Sequence, residues 1–198
     1  MARYLNGNQA SYALAAQQIT PAPASPSAPS SSFADLEGSF THGTYGTLDL
    51  CHVPKNNESA SSDYCTDLIR QPVFARALEA TSNSTLGGNT EALVTLLPDG
   101  LFASHIVLRQ FDGDLFNASF IWSNYNMRVN TTYESDDPEG YVITNIGSRV
   151  QAEWVAEEEG WAFKGGLWGA SGQAVLGIDG ELVGAQGKDS AEVWFARA

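Results

Sequence analysis

Basic side chains are scarce. Lys and Arg number 10 against 23 Asp and Glu, which gives a formal net charge of −13 and a pI near 4.4. Recognition of phosphate backbones or anionic headgroups needs clustered Lys and Arg, and no two of these basic residues are adjacent. Nucleic acid and membrane surfaces are therefore poor partners. Long apolar runs are absent as well, since no stretch approaches the ~18 residues of a membrane-spanning helix. No membrane insertion is expected.

The arrangements that carry catalysis are missing too. Lys55, Lys164 and Lys188 are the only lysines, and none has a Ser three residues before it, so a Ser-x-x-Lys nucleophile is excluded. Gly169-Ala170-Ser171-Gly172 has the wrong spacing for a Gly-x-Ser-x-Gly elbow and reads as a loop. His42, His52 and His105 lack the His-x-His or His-x-x-x-His spacing of a metal site, and they read as solvated or hydrogen-bonded side chains. Glu157, Glu158 and Glu159, and the group Glu134, Asp136, Asp137 and Glu139, read as solvated charge runs. A calcium site in the second group is the alternative, but it lacks the ligand spacing of an EF-hand loop. No catalytic residue, cofactor or metal ligand is assigned.

Cysteine is limited to Cys51 and Cys65, separated by a polar stretch with no strand or helix pattern of its own. A disulfide is expected here, with two free thiols as the alternative. Four Asn-x-Ser/Thr sequons, at Asn57, Asn83, Asn117 and Asn130, are candidate glycosylation sites and agree with an oxidising, extracellular compartment. The first 18 residues carry Asn and Gln where a secretory leader needs an unbroken apolar run. Secreted chemistry without a visible leader leads to the expectation that this chain is the downstream part of a longer one.

What is present fits one domain, because 198 residues with 43% hydrophobic content can bury one sizeable core. Residues 1–20 have the composition of a terminal helix, with Tyr12, Ala15 and Ile19 at helical spacing. Residues 21–32, rich in Pro, Ala and Ser, are expected to form a mobile linker.

From Phe33 to Ala198 the pattern changes to short alternating runs with turn signals, the signature of an antiparallel sheet with one wet face. Leu48 and Leu50, then Ile106 and Leu108, then Phe116, Ala118, Phe120 and Trp122 are placed inward. So are Ala152, Trp154 and Ala156, then Trp161, Phe163 and Leu167, and finally Ala191, Val193 and Phe195. Asn117 falls on the outer face, where a glycan can be carried. A helix is expected between Asp63 and Ala80, interrupted by Pro72. The fold class is all-β: an antiparallel lipocalin-like barrel, with a β-sandwich as the alternative, one short helix and a flexible N-terminal segment. The five tryptophans either fill the interior or line a ligand cavity, with Trp194 directed outward.

Three pieces carry a family resemblance: Gly43-Thr44-Tyr45-Gly46-Thr47-Leu48 running into Cys51, the Ser104-His105 pair at a strand start, and the terminal Ala191-Glu192-Val193-Trp194-Phe195. Together they make residues 33–198 similar to the C-terminal domain of fungal β-lactamase-related serine hydrolases. The resemblance implies a barrel that follows a hydrolase domain holding the Ser and Lys chemistry. Residues 1–20 would then match the last helix of that domain and 21–32 the connection. The family's catalytic residues have no counterpart here, so the expected function is a non-catalytic accessory domain whose partner is a β-lactamase-like hydrolase domain, in cis or in trans. A free-standing barrel that binds a small apolar ligand is the alternative. On the accessory reading, Trp194, Val107 and Val155 are candidate docking residues on the outer face.

Overall fold

The computed structural model describes residues 23–54, 61–71, 91–97, 103–123, 143–164 and 187–198, with backbone alone at 122–123 and 143–149. Eight strands are formed: β1 (Gly38–His42), β2 (Gly46–Val53), β3 (Ala92–Leu96), β4 (His105–Asp112), β5 (Leu115–Ser123), β6 (Ile143–Val155), β7 (Gly160–Lys164) and β8 (Val193–Arg197). Each pairs antiparallel with its successor, and β8 pairs with β1 to close the barrel. The lipocalin-like barrel is therefore the fold, and the sandwich is not.

Period-two alternation determines what fills it. Leu48 and Leu50 of β2, Leu93 of β3, Ile106 and Leu108 of β4, and Phe116, Ala118 and Phe120 of β5 belong to one buried cluster. Val150, Ala152 and Trp154 of β6, Trp161 and Phe163 of β7, and Val193 and Phe195 of β8 complete its wall side. Burying each large apolar side chain of this kind stabilises the fold by roughly 2 to 3 kcal/mol.

Among the described residues two of the expected inward positions differ; the Trp122 side chain and Leu167 lie outside them. Ala156 is exposed, because the chain leaves β6 into a 3-10 turn at Ala156–Glu158 that Glu159 ends with a left-handed φ of 47°. Ala191 precedes β8 and is only partly covered.

Helix α1 (Phe33–Leu36) starts at Ser32, whose Oγ accepts the Asp35 amide at 3.2 Å. It inserts Phe33 and Leu36 into the barrel core and closes the end at which β1 begins and β8 finishes. Helix α2 (Asp63–Ile69) starts at Ser62, whose Oγ accepts the Cys65 amide at 3.1 Å. It packs outside the barrel on β2 and β3. The longer expected helix stops at Ile69, with Arg70 as its cap; residues 72–80 lie outside the described residues.

The expected mobile linker is corrected in its second half. The Ser27 amide donates to Asp112 Oδ1 at 2.7 Å, and the Ser30 amide donates to Asp114 Oδ1 at 2.7 Å. Gln110 Nε2 and the Gly113 amide both donate to the Ser27 carbonyl, at 2.8 and 3.1 Å. Low hydrophobicity leaves such a segment nothing to bury, but its backbone polar groups still take partners when a hairpin rim offers them. Residues 1–22 lie outside the described residues.

Among the described glycines Gly160 has the least room for a side chain. A Cβ built there would stand 2.3 Å from the Trp194 ring and 2.7 Å from the Phe195 carbonyl, whereas one at Gly43 would meet nothing within 4 Å. Gly160→Ala is expected to cost about 1 to 3 kcal/mol through overpacking and Gly43→Ala close to nothing, which chemical denaturation of the two variants checks.

Candidate functional site

The barrel interior near α1 is occupied by the protein's own rings. Phe116 and Trp161 meet edge to face at 5.1 Å, Trp154 and Trp161 lie 5.5 Å apart, and Phe40 stands edge-on to Trp154 at 5.9 Å. Such contacts add about 0.5 to 1.5 kcal/mol each beyond area burial. Trp161 is fully buried among them, and its Nε1 has no hydrogen-bond partner among the described residues.

Arg197 finishes the closed end. Its guanidinium lies 4.8 Å from the Phe40 ring and 5.5 Å from the Trp154 ring. It donates to the carbonyls of Asp35 at 2.6 Å and Glu37 at 3.3 Å. These carbonyls belong to the end of α1, where a helix leaves acceptors unpaired and favours a cation. Glu37 in turn accepts the His52 amide at 2.9 Å and the Ser61 hydroxyl. Trp154 donates its indole N–H to Ser31 Oγ at 3.1 Å. A cleft of about 540 Å³ opens beside this latch, bounded by Ser31, Asp35, Trp154, Glu159 and Arg197.

The other polar cluster is a buried hydrogen-bonded pair. Ser104 Oγ lies 2.7 Å from His105 Nδ1 and donates to the Ile121 carbonyl at 3.0 Å, while His105 Nε2 lies 3.4 Å from Gln71 Oε1. A serine beside an imidazole is half of a nucleophile-base arrangement. Here Ser104 is 2% and His105 0% exposed, so neither side chain stands open to a substrate. Burial lowers the His105 imidazole to about 4, which keeps it neutral. The sequence marks Ser104-His105 only as a piece of the resemblance and not as a bonded pair, because neighbours in a strand face opposite sides; Ser104 escapes that constraint by preceding β4.

Of the two alternatives for His105 the hydrogen-bonded one holds, since the side chain is buried and bonded to Ser104. The docking expectation for Val107 is corrected: it is 1% exposed and not available to a partner. Val107 shares its register row with Cys51, Val94 and Ser119, all buried, so this outer face is a second packed layer. Arg109 follows on the same strand face, and burial lowers its guanidinium to about 10.

Trp194 does face outward, but its own domain covers it in part: it packs over Gly160, with Lys188 Nζ 5.4 Å from its ring and held by Glu158 at 2.9 Å. Val155 is half-buried. Asn117 is half-buried on the outer face, paired in register with Arg109 and Gln151. Asn57, Asn83 and Asn130 and the 134–139 charge run lie outside the described residues. Among the described residues no group of three His, Cys, Asp or Glu is placed to hold a metal ion, and no helix is long and apolar enough to cross a membrane.

Cys51 and Cys65 are joined, with their Cα atoms 5.3 Å apart. The bridge fastens α2 to β2. Comparison with protein-family models, with curated proteins and with solved structures finds no match.

Two expectations follow from this geometry. Replacing both cysteines by Ala is expected to lower stability by about 3 kcal/mol in the chain-entropy account of a loop of this length, read as a shifted denaturation midpoint. The second concerns acid. Because the folded His105 sits near 4 and the unfolded side chain near 6.5, the unfolded chain binds the extra proton between these values. Its contribution is therefore complete above about pH 6.5 and falls by about 3 kcal/mol as pH drops through 4. His105→Asn is expected to flatten the stability profile in that window, whatever it costs at neutral pH.

Proposed function

We propose that this barrel is a non-catalytic accessory module of a secreted β-lactamase-like serine hydrolase. The observation that supports this best is the fastening of Ser27 and Ser30 to Asp112 and Asp114. In the closed form these bonds fix where the connecting segment leaves the barrel, which suits a module set beside a second domain. The disulfide agrees with an oxidising compartment.

The pieces that carry the resemblance also fall at defined places in the fold. Gly43 to Cys51 spans the first hairpin turn and most of β2, Ser104-His105 leads into β4, and Val193-Trp194-Phe195 begins β8. In this reading Ser104 and His105 act as a buried structural link, and the hydrolytic Ser and Lys belong to the preceding domain.

The purified chain is expected to give no turnover of a chromogenic ester or a chromogenic β-lactam. It is also expected to bind a separately expressed hydrolase domain of this family and raise that domain's thermal midpoint. Turnover abolished by Ser104→Ala would contradict the proposal by making the Ser104-His105 pair catalytic, and absence of binding would remove the hydrolase partner.

A further inference from the structure

The bonds that hold Ser27–Leu36 differ in kind from those that hold the wall. Strands are joined by continuous ladders around a shared apolar cluster. The N-terminal segment lies outside these ladders and is held by rim side chains. Asp112 and Asp114 take amides, Gln110 takes a carbonyl, Trp154 takes a hydroxyl, and Arg197 takes the carbonyls of Asp35 and Glu37.

The clamps from Asp112, Asp114 and Gln110 are exposed to solvent, where a hydrogen bond is readily exchanged for one to water. Only Phe33 and Leu36 of the segment are buried in the barrel core. The Phe33 ring sits 5.4 Å from His52 and 5.8 Å from Phe116.

We propose that Ser27–Leu36 is a releasable plug that leaves the barrel end as one unit while the eight-stranded wall stays folded. The place vacated by the Phe33 ring, beside His52 and Phe116, is then a binding site for an aromatic ring on a small apolar ligand. Such a ligand competes with Phe33 and shifts the plug toward release, in proportion to its preference for the open form. The device works equally on an accessory module and on a free-standing barrel, so it does not rest on the hydrolase reading.

Native-state hydrogen exchange tests the plug, on the unaltered chain and on the Asp112→Ala/Asp114→Ala variant. Circular dichroism reports the wall, and the aromatic dye 1-anilinonaphthalene-8-sulfonate reports the vacated place. The Asp35 and Leu36 amides, bonded to the Ser32 carbonyl at 2.9 and 3.0 Å, are expected to exchange faster than those of β5 and β6 in the unaltered chain. In the variant their exchange is expected to rise by about tenfold or more while β5 and β6 keep theirs, and dye fluorescence is expected to rise. Equal exchange of plug and wall in both proteins, or loss of the sheet signal in the variant, overturns the plug. A released plug without dye binding overturns the site.

Discussion

Closure of the sheet is the constraint on which the rest depends. With β8 paired to β1, each of the eight described strands has a neighbour on both sides, and alternate side chains are committed to one shared interior. The closing seam is short: Phe40 stands opposite Arg197 and Thr41 opposite Ala196. Arg197 compensates by reaching across it, stacking on Phe40 and Trp154 and binding the carbonyls at the end of α1. One side chain thus joins the last strand, the first strand and the helix that closes the end. A lysine, with its compact ammonium, has no planar fork with which to stack and bond at once.

A second layer grows on the outside of the closed wall. Cys51, Val94, Val107 and Ser119 form a buried row across β2 to β5, and the disulfide brings α2 down on part of it. His105 and Ser104 are sealed into this layer and satisfy each other there. The same burial that keeps both side chains from the surface makes the pair sensitive to acid, because a neutral imidazole is the form the layer accommodates. Structure and candidate chemistry are decided by one variable, access to water.

The interior was legible in the sequence because a strand obeys a period of two. Leu48, Leu50, Phe116, Phe120, Trp161 and Phe195 are inward for that reason alone. What covers the outer face follows no such period, so the sequence offers Val107 as a docking residue and leaves His105 between solvent and a hydrogen bond, although both are buried. Composition misled in the same way at Ser27–Ser32, where Pro, Ala and Ser predict mobility but the Asp112 and Asp114 carboxylates lie in wait on a distant hairpin. Phe33 and Leu36, flanked by polar residues, carry too short a signal to announce that they close the barrel. Of the candidate docking residues, Trp194 was correctly turned outward, yet Gly160 and Lys188 had to be located in space before its cover was visible.

The molecule is thus a closed wall around a ring-filled core, with a strap at one end and a packed layer outside. Closure is tested most directly by amide exchange at the seam. If the barrel is closed, the hydrogen-bonded amides of β1 and β8 exchange only with global unfolding, at the same free energy as those of β5 and β6. If β1 and β8 exchange many-fold faster than β5 and β6, in the manner of frayed sheet edges, the barrel is open and the account is contradicted.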